Sequence, residues 1–166
     1  MKNILPSAVL LLVLLSPNCF AQKLYFTATG QSPEGIQIIR SFKLTEGTLN
    51  YAEYPFKVSV FWPYKDQMAE MGMPKAALLK DFSNFEDKTI ALEKMGLGHM
   101  SVVFTGNGVR AWHWHVKDPE QWRQSYVKVV ENANELPIIF DVKHDPEWRM
   151  YDDLIKNMDW TSVEFM

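Results

Sequence analysis

The chain has 166 residues and a formal net charge of −3, with 47% hydrophobic and 22% charged residues. That length suits one globular domain, and the hydrophobic content excludes an intrinsically disordered chain. Lys and Arg are spread without a basic run, so the clustered positive charge of a nucleic-acid-binding surface is missing.

The N-terminus reads as a secretory leader. Lys2 gives a positive start, and Ile4 to Leu15 is apolar apart from Pro6 and Ser7. Ser16-Pro17 breaks the run, and Cys19 and Ala21 place small residues at the −3 and −1 positions of a cleavage site. The run is shorter than the roughly 20 apolar residues of a membrane span. We therefore expect cleavage after Ala21, leaving residues 22–166 as one periplasmic or secreted domain with no membrane span. A lipid-attachment box at Cys19 fits poorly, because Ser16 and Asn18 replace its apolar and small residues. Cys19 is the only cysteine, so the mature domain is expected to fold by packing alone, without a disulfide.

Residues 22–34 form a mixed lead-in, with a short strand at 24–27. Gly35 to Leu44 reads as a further strand. Phe56 to Trp62 alternates as a strand does, and Pro63 ends it. After Pro74, the positions Leu78, Phe82, Phe85, Leu92 and Met95 recur at helical steps and form one buried stripe. Strands follow at 100–105 and 109–116, joined through Gly106-Asn107-Gly108. A three-residue loop puts Met100, Val102 and Phe104 on the same face as Trp112, Trp114 and Val116. A two-residue Asn-Gly turn puts them on opposite faces. The longer loop is the expectation, because it makes one coherent apolar face.

Asp118-Pro119-Glu120-Gln121 is a helix start, with a capping Asp and Pro in the first turn. Trp122, Tyr126, Val129, Val130 and Ala133 form its stripe. Ile138 to Val142 reads as a strand, and Asp145-Pro146-Glu147 as the start of a last helix carrying Trp148, Tyr151, Ile155 and Met158. The fold class is α+β. From Phe56 the order is the ferredoxin-like βαββαβ of an antiparallel sheet with its helices on one face. N-terminal strands and a C-terminal helix are added to it, and the core spans 56–158. The second face of the sheet is either free for a partner or covered by those additions.

Several segments resemble the DUF695 family, a domain of unknown function. They are Val58-Ser59-Val60-Phe61-Trp62-Pro63-Tyr64, Gly72-Met73-Pro74, Phe85-Glu86-Asp87, Thr105 to Trp112, and Asp145-Pro146-Glu147-Trp148-Arg149-Met150-Tyr151. The resemblance runs from about residue 35 to 155. It implies the order of elements and no activity.

Three constellations are candidates for chemistry. His113 and His115 lie two apart on one strand and share a face. With Asp141 they are candidate ligands for zinc or copper, although two imidazoles flanking buried tryptophans also suit ordinary strand positions. Glu86 borders the first helical stripe, and Arg110 has core-facing parity. They form either a substrate clamp or an ion pair fixing helix to sheet, and the ion pair is the preferred reading. Trp160 lies in the tail outside any stripe and is a candidate exposed contact.

No Gly-rich phosphate loop, His-Glu-x-x-His or nucleophile elbow occurs, and Ser59, Ser101 and Ser125 have no base nearby in sequence. The expected function is an exported, non-catalytic binding domain without a cofactor, its partner a periplasmic or extracellular protein. The alternatives are a metal-binding protein or metal-dependent enzyme on His113 and His115, and a small hydrolase using a carboxylate such as Glu86.

Overall fold

Apolar alternation builds the centre of the sheet. In β3 (Phe56–Pro63) Val58, Val60 and Trp62 are buried, and in β5 (Val109–Val116) Trp112, Trp114 and Val116 lie opposite or beside them. These side chains meet Leu78, Phe82, Phe85 and Leu92 of α1 (Ala76–Lys94) and Trp122 and Tyr126 of α2 (Pro119–Val129) in one core. The computed structural model describes residues 23–33, 35–44, 49–158 and 164–165. The expected leader, Cys19 and Trp160 lie outside them.

The remaining elements are β1 (Lys23–Ser32), β2 (Gly35–Leu44), β4 (Gly98–Gly106), β6 (Ile139–His144), α3 (Arg149–Asn157) and the two-residue β7 (Glu164–Phe165). The fold is α+β, with one sheet in the order β6-β3-β5-β4-β2-β1-β7 and every pairing antiparallel. The N-terminal segment is more regular than expected. β1 pairs with β2 from Lys23↔Leu44 to Ser32↔Gly35, and the hairpin widens the sheet beyond β4.

The loop between β4 and β5 corrects the expectation. Gly106 pairs with Val109, leaving the two-residue turn Asn107-Gly108 with φ of 53° and 73°. Both angles are left-handed, as a tight hairpin requires, and Asn-Gly tolerates them. The parity this turn would break is restored by a bulge. The register shifts between Met100 and Val102, so Met100 opposes Trp114 and Val103 opposes Trp112. Met100 and Val103 therefore join the helix-side core, while Val102 packs in a second cluster.

That second cluster covers the other face. Trp148 and Tyr151 pack with Phe42, Tyr54 and Val102, so α3 lies opposite α1 and α2 and the helices do not all share one face. Trp148 Nε1 donates to the Tyr54 carbonyl at 3.0 Å, and the Tyr151 hydroxyl to the Phe42 carbonyl at 2.8 Å. The helix begins later than its Asp-Pro-Glu signal. Asp145 caps a preceding turn and accepts from the Arg149 N–H at 3.0 Å, while Trp148 takes a left-handed φ of 52° before α3 starts. Met95 falls just past the end of α1 and is exposed rather than part of its stripe.

Asp118 behaves as its sequence position predicts, accepting from the Glu120 and Gln121 N–H groups at 2.9 and 3.1 Å. Replacing Asp118 with Ala leaves those donors uncapped and is expected to cost about 1 kcal/mol. Urea unfolding checks this as a lower midpoint with an unchanged slope.

Candidate functional site

Helical spacing sets Glu86 one turn from Phe82 and Ile90, at the border of the α1 stripe. Beneath it the sheet supplies two guanidiniums. Arg110 of β5 lies opposite Trp62, and Arg40 of β2 lies opposite Val103, both on the helix side. Both Glu86 oxygens accept from Arg40 Nη2, and Oε2 also accepts from Arg110 Nη2 at 2.8 Å and Trp112 Nε1 at 3.1 Å.

The pairing expected of Glu86 and Arg110 is thus present, with Arg40 and Trp112 added. Burial pushes the Glu86 carboxyl up, but the Arg40 hydrogen bond and charge, the Trp112 N–H and the Arg110 charge together hold it below its ordinary value. Burial draws the Arg110 guanidinium down, and the adjacent Glu86 opposes that pull. Arg110 also lies against the rings of Phe82 and Trp112, 5.2 and 5.3 Å from their centroids. The chemistry is that of an ion cluster with a carboxylate locked in its charged form, which suits a clamp and not a proton donor.

A pocket of about 410 Å³ opens beside this cluster. It exists because β1 and β2 extend the sheet past the edge of α1. Ile90 of α1, Met100, Val102 and Val103 of β4, Phe42 of β2 and Tyr25 of β1 supply its apolar surface, and Arg40 and Glu86 its charged wall. Ser41 and Ser101 also border it, but their hydroxyls are engaged. Ser41 Oγ donates to the Ser101 carbonyl at 2.6 Å, and Ser101 Oγ to the His113 carbonyl at 3.0 Å.

His113 and His115 project from β5 toward the second face, each with a serine. His113 Nδ1 lies 2.9 Å from Ser59 Oγ, and His115 Nδ1 lies 2.9 Å from Ser101 Oγ. Because the Ser101 proton goes to the His113 carbonyl, His115 Nδ1 is the donor in its pair. His115 is fully buried and stacks on Trp148, centroids 3.9 Å apart. Its Nε2 lies 3.5 Å from Asp145 Oδ2, long for a charge-assisted bond.

Asp141 sits on the same face, opposite Ser59, but its carboxylate is 3.4 Å from Lys143. The three expected metal ligands do not converge. Among the described residues, no group of three His, Cys, Asp or Glu side chains is placed to hold a metal ion. Ser101, His115 and Asp145 do lie in a line, yet Ser101 is fully buried and its hydroxyl proton is committed to a carbonyl. A nucleophile needs access to its substrate and a free base, and this line has neither.

A model of a family of unknown function, DUF695, matches residues 25–155. The chain belongs to that family. No curated protein and no solved structure matches. The DUF695 match reaches further toward the N-terminus than the motifs that suggested it and takes in most of the β1–β2 hairpin. Glu86, Arg110 and Trp112 all fall within the segments on which the resemblance rested. Arg40 does not, and no local signal in the sequence of β2 marks it. It is found only once β2 is known to pair with β4. Strand parity places Ser101 beside the two histidines, but no local signal marks Ser59, which strand register alone brings to His113.

Burial pushes the His113 imidazole down to about 4, with Lys57 adding to the shift and Asp141 opposing it. Burial likewise pushes His115 down to about 4, with Asp145 opposing. An unfolded histidine titrates near 6.5, so between these values the unfolded chain binds more protons. Stability from both rings is fully present above about pH 6.5 and declines toward pH 4, by roughly 1.4 kcal/mol per pH unit for each histidine. Urea midpoints measured from pH 7.5 to 4.5 are expected to fall below pH 6.5, and a flat profile would show that the rings stay solvated.

Proposed function

We propose that this chain is an exported, non-catalytic binding domain whose ligand site is the pocket between α1 and the β1–β2 extension of the sheet. One observation carries the reading. A concave, mainly apolar chamber of about 410 Å³ sits against a fixed ion cluster, as small-molecule sites commonly do. Ser41, Ser101 and Glu86 on its border are engaged in internal hydrogen bonds, which suits recognition better than turnover.

The metal and hydrolase readings draw no support from this geometry, because the histidines are turned to serines and Glu86 is held ionised. A protein partner on the second sheet face is also less favoured, since Trp148 and Tyr151 occupy much of it. The strand order β6-β3-β5-β4, with α1 and α2 packed on one side, supports a ferredoxin-like reading of residues 56–144. The β1–β2 hairpin would then be the addition that creates the site. Among the described residues no helix is long and apolar enough to cross a membrane. Export rests on the charge and apolar pattern of residues 1–21.

Two experiments test this reading. Ile90 is half-buried on the pocket wall, and Ile90→Trp fills the chamber from a position that tolerates a larger side chain. A neutral apolar fluorophore such as N-phenyl-1-naphthylamine is expected to bind the native chain and to bind the variant about tenfold more weakly, the loss of roughly one buried contact surface. Unchanged binding would move the site elsewhere. Intact-mass analysis of cell fractions is expected to find a chain beginning at Gln22 outside the cytoplasm. An uncleaved cytoplasmic chain would contradict export.

A further inference from the structure

We infer that the pocket takes an anionic amphiphile, a single acyl chain ending in a carboxylate, with the head on Arg40 and the chain along the apolar wall. This rests on the binding-domain reading above and names the ligand class for the same site.

Charge comes first. Arg40 and Arg110 flank one carboxylate, so the cluster keeps one uncompensated positive charge. That charge is accessible only on one side, because the Arg110 side chain is 12% exposed between aromatic rings and that of Arg40 is 34% exposed at the pocket wall. A guanidinium has five N–H donors. Arg40 uses only Nη2, toward Glu86, and its other N–H groups make no hydrogen bond among the described residues.

The rest of the wall offers a ligand little other polarity. Ser41 and Ser101 are committed to backbone carbonyls. Burial and then the charge of Glu93 push the Tyr25 hydroxyl up, and as a neutral group it both donates and accepts. Glu93, whose charge reaches Tyr25, lies 3.0 Å from His99 Nδ1. Arg40, a charged group at the pocket wall with unused N–H donors among the described residues, favours an anion. A single spare charge matches a monovalent head, and Phe42, Ile90, Met100, Val102 and Val103 border the chamber with apolar side chains. A dianionic phosphate head would be half-neutralised, and a small anion would leave the apolar surface unused.

The test is calorimetric titration of the purified chain with decanoate, 1-decanol, decyl phosphate and acetate below micelle-forming concentrations. Decanoate is expected to bind about tenfold or more tightly than decanol, the effect of one charge-assisted hydrogen-bonded contact. Acetate is expected not to bind. Arg40→Met should bring decanoate within about threefold of decanol, and a cooperative urea transition checks that the variant is folded. Arg40→Lys should keep most of the preference.

Equal binding of decanoate and decanol by the native chain would overturn the carboxylate head while leaving the pocket as a binding site. Tighter binding of decyl phosphate than decanoate would overturn the monovalent assignment. No binding of either ten-carbon ligand would overturn the pocket reading itself.

Discussion

The Glu86 carboxylate is held by β2 through Arg40 and by β5 through Arg110 and Trp112, so one side chain of α1 fastens strands from two separate parts of the sheet. Removing such a group from water is costly unless each lone pair finds a donor, and here three donors converge on it. The arrangement fixes the rotation of α1 over the sheet, because turning the helix by one residue would bury the charge among Phe82, Phe85 and Leu92. It also decides where the helix layer stops. Ile90, one turn further along, becomes the rim of a chamber rather than part of the closed core.

The opposite face is organised by an aromatic lid. The left-handed backbone at Trp148 turns its indole flat onto His115, and the ring N–H is satisfied by the Tyr54 carbonyl. A neutral imidazole stacks without the desolvation penalty of a cation, so the lid and the depressed protonation of His115 are two aspects of one packing choice. The stack closes over a chain of polar atoms from His115 to Ser101 to the His113 carbonyl. It engages both histidines in contacts within the fold.

Local chemistry made much of this legible. Asp118-Pro119 announced α2, the alternation at Val58, Val60 and Trp62 announced β3, and parity placed Arg110 under Glu86. What escaped depended on register between distant segments. The apolar pattern of β4 fits a longer loop as well as a tight turn plus a bulge, and only the closed hairpin shows that Ser101 is the extra residue. Arg40 carries no signal in its own neighbourhood, because its role arises from β2 pairing with β4, some sixty residues away in sequence. The Ser59–His113 pair is hidden for the same reason.

The seam between β2 and β4 runs only from Ile38 to Ser41, whereas β1 and β2 pair along their entire length. The chamber is thus bounded by one wall, α1 with β4, anchored in the main core, and a second wall, a hairpin held by a short ladder, the Arg40–Glu86 bridge, the Ser41–Ser101 bond and the packing of Phe42 on Tyr151. On the proposed binding reading, such a domain would accept a range of chain lengths and bends and discriminate by the end group rather than by the body of its ligand.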